Sequence, residues 1–353
     1  MSLVPGSLLA GPRGRRLCGE ILWGGRDRRD ALGGVNVFPR GSRHLLAHPG
    51  AIAGPVPGAS TFDEADVATA AAALRRIAPP DLTDAVLEAA LAVTVDLAAY
   101  WQPPHGEDIL LATDEMRPVL EPVARAIAES PLTAWWSSPV DRLTPASVGW
   151  EHPAEPEGNP VGILSRWRAD MDADERRFAR EFAGRDVSGT WWSTPPFALP
   201  RTTRVRGAGG PVGLTLVEDS LGWTTARVQP VTPPVGEVLE IDGPDAWAAL
   251  CRRHPVSVSA SRRHVWEMTT GRSGAWVQPD WASVAREAVG VHLSVAGYLS
   301  TAGRVVDVGE REASVLAGWG PDETFWFDTV APSGPAEDWA ARTGADGRRW
   351  HRA

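Results

Sequence analysis

The chain contains no lysine, so all 35 of its basic side chains are arginine. That absence excludes Schiff-base chemistry with pyridoxal phosphate or carbonyl substrates, the lysine of Walker-type phosphate loops and the strand lysine of protein kinases. Asparagine occurs only at Asn36 and Asn159 and isoleucine is scarce; a GC-rich coding sequence accounts for all three shortages. The arginines that remain are permanent planar donors matched to carboxylate and phosphate. Two cysteines, Cys18 and Cys251, are too few for a zinc knuckle or a disulfide framework, and a reducing cytoplasm is expected. Long apolar runs are missing as well. The most apolar window, from Ala85 to Tyr100, is broken by Glu88 and Asp96, so no membrane span is expected. Leu8-Leu9-Ala10 precedes Arg13, Arg15 and Arg16, the reverse of the order in a signal peptide. A net charge of −9 argues against a duplex nucleic-acid footprint spread over the protein.

What is present is an ordinary globular composition, 43% hydrophobic and 22% charged, in 353 residues, enough for about two domains. Residues 1–58, rich in Gly, Pro and Arg, read as an irregular segment with one strand-like run at 17–23. A mainly helical region over 59–184 follows, then an α+β domain over 185–335 and a tail over 336–353. Helices are expected at 61–77, 83–101, 113–129 and 171–183, although Pro118 and Pro122 argue against a clean third helix. From Val212 onward the apolar period changes to two. It predicts strands at 212–216, 224–231, 237–241, 256–260, 291–299, 313–317 and 324–327, with helices at 244–253 and 279–289. The expected fold class is α+β, with a mainly helical N-terminal half and a mixed or antiparallel sheet with short helices in the C-terminal half.

The chain carries 17 tryptophans, and two strings containing them are nearly identical: Trp135-Trp136-Ser137-Ser138-Pro139 and Trp191-Trp192-Ser193-Thr194-Pro195. On a strand, neighbouring tryptophans point to opposite faces, so one of each pair would enter the core and the other would be left to stack on a ligand or anchor a protein partner. The alternative is that both pack internally as wedges between layers.

Asp170, Asp172, Asp174 and Glu181 have the carboxylate spacing of a calcium-binding EF-hand loop, but Glu175 stands where the sharp turn needs glycine. A helix capped by Asp172, with Glu175 completing the cap, explains the same acids. Gly207-Ala208-Gly209-Gly210 precedes a strand pattern, where a dinucleotide loop requires a helix, and reads as a hairpin turn. His152, Glu155 and Glu157 read as a solvated surface loop.

The densest chemistry lies between Glu237 and Phe327. A strand delivers Arg262 and Arg263 to its end, Tyr298, Ser300 and Thr301 close a second, and Asp322-Glu323 opens a third. This order of arginine, aromatic-x-Ser-Thr and glutamate resembles that of the ADP-ribosyltransferases over about ninety residues; the second acid of that family's motif is replaced by Pro321. The resemblance implies an NAD site: Arg262 or Arg263 on the pyrophosphate, Ser300 and Thr301 supporting the site, and Glu323 stabilising the ribosyl cation as the catalytic carboxylate. The competing reading pairs the arginines locally with Glu267 and other acids and leaves Asp322 and Glu323 in a solvated turn. The functional expectation is a C-terminal domain that binds a small anionic ligand or nucleotide, with an ADP-ribosyltransferase-like activity as one form of it. The alternative is a non-catalytic interaction module using Trp135, Trp136, Trp191 or Trp192.

Overall fold

The computed structural model describes residues 3–37, 62–150, 159–344 and 347–353. The expected loop around His152, Glu155 and Glu157 lies outside the described residues. The segment expected to be irregular opens instead with helices α1 (Pro5–Ala10), α2 (Pro12–Trp23) and α3 (Arg28–Ala31). Pro5 and Pro12 stand in first turns, where a missing N–H leaves nothing unpaired. Leu17, Ile21 and Leu22 share the buried side of α2, so the apolar run at 17–23 is helical rather than extended.

Helices α4 (Glu64–Arg75) and α5 (Asp84–Asp96) start at Asp63 and Thr83, whose side chains accept first-turn N–H groups. After α6 (Gly106–Leu110), α7 (Arg117–Glu129) runs unbroken through Pro122. Pro118 lies in its first turn, and burial of Val119, Leu120, Val123 and Ile127 outweighs the single ladder bond lost at Pro122. Strand β1 (Pro145–Trp150) precedes α8 (Pro160–Glu181), a helix of 22 residues that starts eleven residues earlier than expected and is capped by Asn159. Asp172 therefore lies inside the helix instead of capping it. It pairs with Arg168, Asp174 pairs with Arg177, and no EF-hand loop forms.

The second half contributes β2 (Arg201–Arg204), β3 (Thr225–Thr232), β4 (Val238–Ile241), α9 (Pro244–Arg253), β5 (Pro255–Ser257), α10 (Arg263–Thr270), β6 (Ala275–Pro279), α11 (Trp281–Val284), β7 (Gly290–Leu293) and α12 (Val295–Thr301). Short strands β8 (Val306–Asp307), β9 (Glu312–Ser314), β10 (Glu323–Trp326) and β11 (Ala331–Pro332) follow, and the hairpin β12 (Glu337–Gly344) and β13 (Gly347–Arg352) closes the chain. The large sheet runs β13-β12-β3-β1-β2-β10-β7-β4, with β11 beside β3, and only its β4–β7 pair is parallel. A second sheet, β5-β6-β9-β8, is also mixed. The fold is thus α+β with helices concentrated in the first half and sheets in the second.

Two expected strands are replaced by turns of helix. The alternation at 212–216 is a short 3-10 turn, and the run from Val291 is divided at Ser294, whose hydroxyl accepts from the Gly297 N–H and starts α12. Every residue of α12 is buried. It packs against α2, which also touches α5 and α7, so one apolar core spans the helical and sheet halves. A separate small core forms beneath the β12–β13 hairpin around Trp339 and Trp350. No helix among the described residues is long and apolar enough to cross a membrane.

Candidate functional site

The N-terminal turns of α2 carry Arg13, Arg15 and Arg16 into the seam between the helical half and α12. Arg13 Nη2 lies 2.5 Å from Asp108 Oδ2, and its Nη1 donates to the Thr94 carbonyl. Arg16 donates to Glu20 at 2.7 Å and to the other Asp108 oxygen at 3.3 Å. Burial alone would raise the Asp108 carboxyl; Arg13 and Arg16 together overcome it and hold the group below its usual range. Arg15 reaches the Leu9 and Ala10 carbonyls, and Arg304, just beyond α12, reaches those of Ser300 and Val305.

Between these groups lies a cavity of about 320 Å³, into which Arg13, Arg15, Arg304, Tyr100, His105 and Thr270 project beside the apolar Leu97, Ile109 and Val305. The Nε donors of Arg13 and Arg15 are buried in the surrounding structure without a hydrogen-bond partner. Burial lowers the Arg15 pKa; Asp108 opposes that shift, while Arg13 and Arg304 add to it. Burial likewise lowers the pKa of His105 and keeps its ring neutral near pH 7. Three arginines and one carboxylate, Asp108, line this cavity in a molecule whose net charge is −9.

Behind the Arg13 wall stand the two tyrosines of the chain, Tyr100 and Tyr298, although they are almost two hundred positions apart. Tyr298, Tyr100 and Glu218 are near enough to shift one another's protonation. Glu218 Oε2 accepts the backbone N–H groups of Gly318 (2.5 Å) and Trp319 (3.1 Å). Glu218 Oε1 and both phenol oxygens are buried and close no hydrogen bond of normal geometry. Burial pushes the Glu218 carboxyl up to about 8, against the pull of Tyr298, the Gly318 N–H and Arg13. Two left-handed glycines make room for this wall. A Cβ on Gly303 (φ +72°) would meet Tyr100 Cε1 at 2.2 Å, and one on Gly318 (φ +81°) would meet Trp192 Cβ at 2.4 Å.

The residues singled out from sequence are spread over several neighbourhoods. Arg262, at the start of α10, is buried against Ser261 Oγ (3.1 Å) and Met171 Sδ (3.4 Å), and burial lowers its pKa to about 10. Arg263 faces outward to Asp186 and the Arg185 carbonyl, while Glu267 accepts from Ser273. Ser300 donates within its own helix to Ala296, and Thr301 Oγ1 is buried without a partner. Glu323 meets Arg201 Nη1 at 3.1 Å, and burial raises its carboxyl. Asp322 is buried in a left-handed conformation (φ 61°) and pairs with Arg204, so this pair of acids is no solvated turn. Among the described residues, no hydrogen bond or ion pair joins Arg262, Ser300 and Glu323. Of the set, only Tyr298 belongs to the wall behind the cavity.

Neither tryptophan pair lies on a strand. Trp135 and Trp136 occupy a 3-10 turn (Pro131–Ser137); Trp136 is buried, and Trp135 lies under the Arg206 guanidinium at 4.3 Å. The carbonyl of Trp191 accepts from Trp266 Nε1, its ring meets Tyr100 edge-on at 6.5 Å, and Trp192 packs on Gly318. The second pair therefore braces the Glu218–Tyr298–Tyr100 wall. Sequence reasoning used Arg13, Arg15 and Arg16 only to argue against an export signal and passed over Glu218 and Tyr100. The available signals were the arginine cluster itself and the scarcity of tyrosine. Comparison with known proteins finds no family model, no curated protein and no solved structure that matches the chain.

Proposed function

We propose that the protein binds a small anionic ligand in the cavity between α2 and α12. The observation that carries this reading is the lining of the cavity by Arg13, Arg15 and Arg304, of which Arg15 and Arg304 donate to main-chain carbonyls and, among the described residues, form no ion pair, so that a ligand oxyanion would offset their charge. A volume of about 320 Å³ falls at the small end of ligand sites. It favours a small acid or a phosphate over a whole dinucleotide, with the apolar part of the ligand against Leu97, Ile109 and Val305. The tryptophan pairs engage partners within the chain, which favours anion binding over the protein-anchor reading. Two buried free thiols, Cys18 and Cys251, are consistent with a reducing cytoplasm.

The test is calorimetric titration with sulfate, inorganic phosphate and NAD. Sulfate or phosphate should bind, and Arg15→Ala combined with Arg304→Ala should weaken binding at least tenfold, about 1.4 kcal/mol. An unchanged affinity in that variant would remove the cavity reading. NAD binding with nicotinamide release, lost in Glu323→Ala, would instead support the ADP-ribosyl transfer form of the function; no NAD binding at millimolar concentration would discard it.

A further inference from the structure

The strand at the end of the large sheet, β13, reads Gly347-Arg348-Arg349-Trp350-His351-Arg352, with three arginines, a histidine and no acid, in a chain whose net charge is −9. It pairs with β12 on one side, and among the described residues no strand pairs with its other side. The register determines which groups that free edge carries. Ala353 donates its N–H to the carbonyl of Asp338, the next position in the register that sets Trp339 opposite Arg352. Hydrogen-bonded pairs alternate along an antiparallel ladder, so Gly347, Arg349 and His351 turn their N–H and C=O groups to β12. Arg348, Trp350 and Arg352 turn theirs outward. The bond from the Ala341 N–H to the Thr224 carbonyl fixes the same alternation from the β3 side.

Side chains alternate as well. Arg348, Trp350 and Arg352 lie on the face that holds the small core, where the Arg348 and Arg352 guanidiniums cover the Trp350 and Trp339 rings at 5.2 and 5.8 Å. Arg349 and His351 lie on the opposite face, where Arg342, Arg227 and Asp338 are exposed beside them. Arg342 stands directly opposite Arg349. Like charges so placed repel, and neither arginine has an ion pair among the described residues, whereas Arg227 pairs with Asp338 and Arg352 with Glu337.

A regular edge with unused backbone groups is a template for another strand. Charge of one sign bars some strands and admits others. A second copy of β13 would set arginine against arginine, so the edge rejects itself; an acidic strand would relieve the repulsion between Arg342 and Arg349. We propose that β13 is a docking edge for an extended acidic segment of a partner protein, which joins the large sheet as a further strand. Main-chain bonds to Arg348, Trp350 and Arg352 supply affinity. Acidic side chains beside Arg349 and His351, with apolar ones beside Trp350, supply the choice of partner, so the matching sequence alternates acidic and apolar residues. The edge shares no residue with the cavity between α2 and α12, and neither reading rests on the other.

The probe is an eight-residue peptide of alternating glutamate and valine, capped at both ends and titrated into the whole chain, with residue-resolved amide exchange measured before and after. In the free protein the outward amides of Arg348, Trp350 and Arg352 should exchange faster than those of Arg349 and His351, and bound peptide should slow those three by about tenfold or more. Replacing the glutamates of the peptide by glutamine should weaken binding about tenfold. Arg348→Ala should weaken it about threefold, through charge alone. Arg348→Pro removes an outward N–H as well and should weaken binding about a further fivefold. The hairpin should keep its fold in that variant, because proline is tolerated where a strand N–H faces solvent. If it does not, the exchange pattern of the unaltered chain decides alone. Failure of the acidic peptide to bind, or binding that leaves the three outward amides as fast as before, would overturn the docking edge. So would a single-stranded oligothymidylate that binds more tightly than the peptide, since phosphates engage the arginines without needing the strand edge.

Discussion

Glu218, partly buried with its Oε1 sealed, and Arg262, wholly buried, are both ionisable groups drawn away from water. A carboxyl raised from 4.5 to about 8 binds its proton more tightly in the folded than in the unfolded state. Its stabilising contribution is therefore full below pH 4.5 and declines as the pH rises to about 8, above which the whole cost of the buried charge is felt. Glu218→Gln keeps an acceptor for the two N–H groups and should raise the unfolding free energy by about 3 kcal/mol at pH 9 and by little at pH 4. Urea titrations at the two pH values check this, and an equal effect at both would contradict it. Arg262 has a sulfur and a hydroxyl for partners, and burial lowers its pKa. Arg262→Met should be neutral or stabilising by about 1 kcal/mol, read as a rise in Tm; a large loss would mean that the cation is used. Arg262 stands out in the sequence only as a ligand candidate, and Glu218 does not stand out at all. Arg13 and Asp108 stand 95 positions apart, and no local pattern links a charge to a partner at that separation.

Among the elements, those with local signals were legible. The helix from Pro244 to Arg253 matches its expected bounds, and α4 and α5 begin at capping residues visible in the sequence. Apolar runs without clear period were not. Residues 17–23 have Glu20 alone as a polar member and 295–299 are wholly buried, so neither run shows a polar stripe that would set a period of 3.6. Strands β1, β2, β12 and β13 were missed because what makes them strands is pairing with distant segments. Just past the end of α12, Gly303 lines the cavity against the Tyr100 ring. Gly303→Ala adds both a left-handed strain and a clash with Tyr100, and should cost about 2–4 kcal/mol. Sulfate affinity should fall in the same variant; a variant with unchanged Tm would show that Tyr100 has room to move. In the sheet, His292 of β7 lies 2.6 Å from Glu240 of β4 and 3.5 Å from Asp322 at the edge of β10, and Asp322 in turn holds Arg204 of β2. Burial opposes the His292 charge, but the two carboxylates prevail and raise its pKa.

For the molecule as a whole, these groups define a window of pH. His292 has a folded pKa raised above 6.5, so its contribution is full below 6.5 and is lost as the pH rises through the folded value. Glu218 acts in the same direction. Asp108 and Asp141 have folded pKa values depressed below 3.8, so theirs is present above 3.8 and lost as the pH falls through the folded values. Stability should therefore peak between about pH 4 and 5, where all four contributions are present, and fall progressively toward pH 9. Thermal unfolding across that range measures it, and Glu218→Gln with His292→Asn should flatten the alkaline side.

The fold class was readable from composition and period, whereas the shared core was not, because it joins α2 to α12 across almost the whole chain. The β12–β13 hairpin is built differently, with its own small core around Trp339 and Trp350 at the edge of the large sheet. Such a patch can open alone: its amides should exchange with deuterium through local fluctuation, well ahead of those in α2 and α12, which wait for global unfolding. The molecule should thus open in two units of unequal size, with the arginine-lined cavity between α2 and α12 in the slower one.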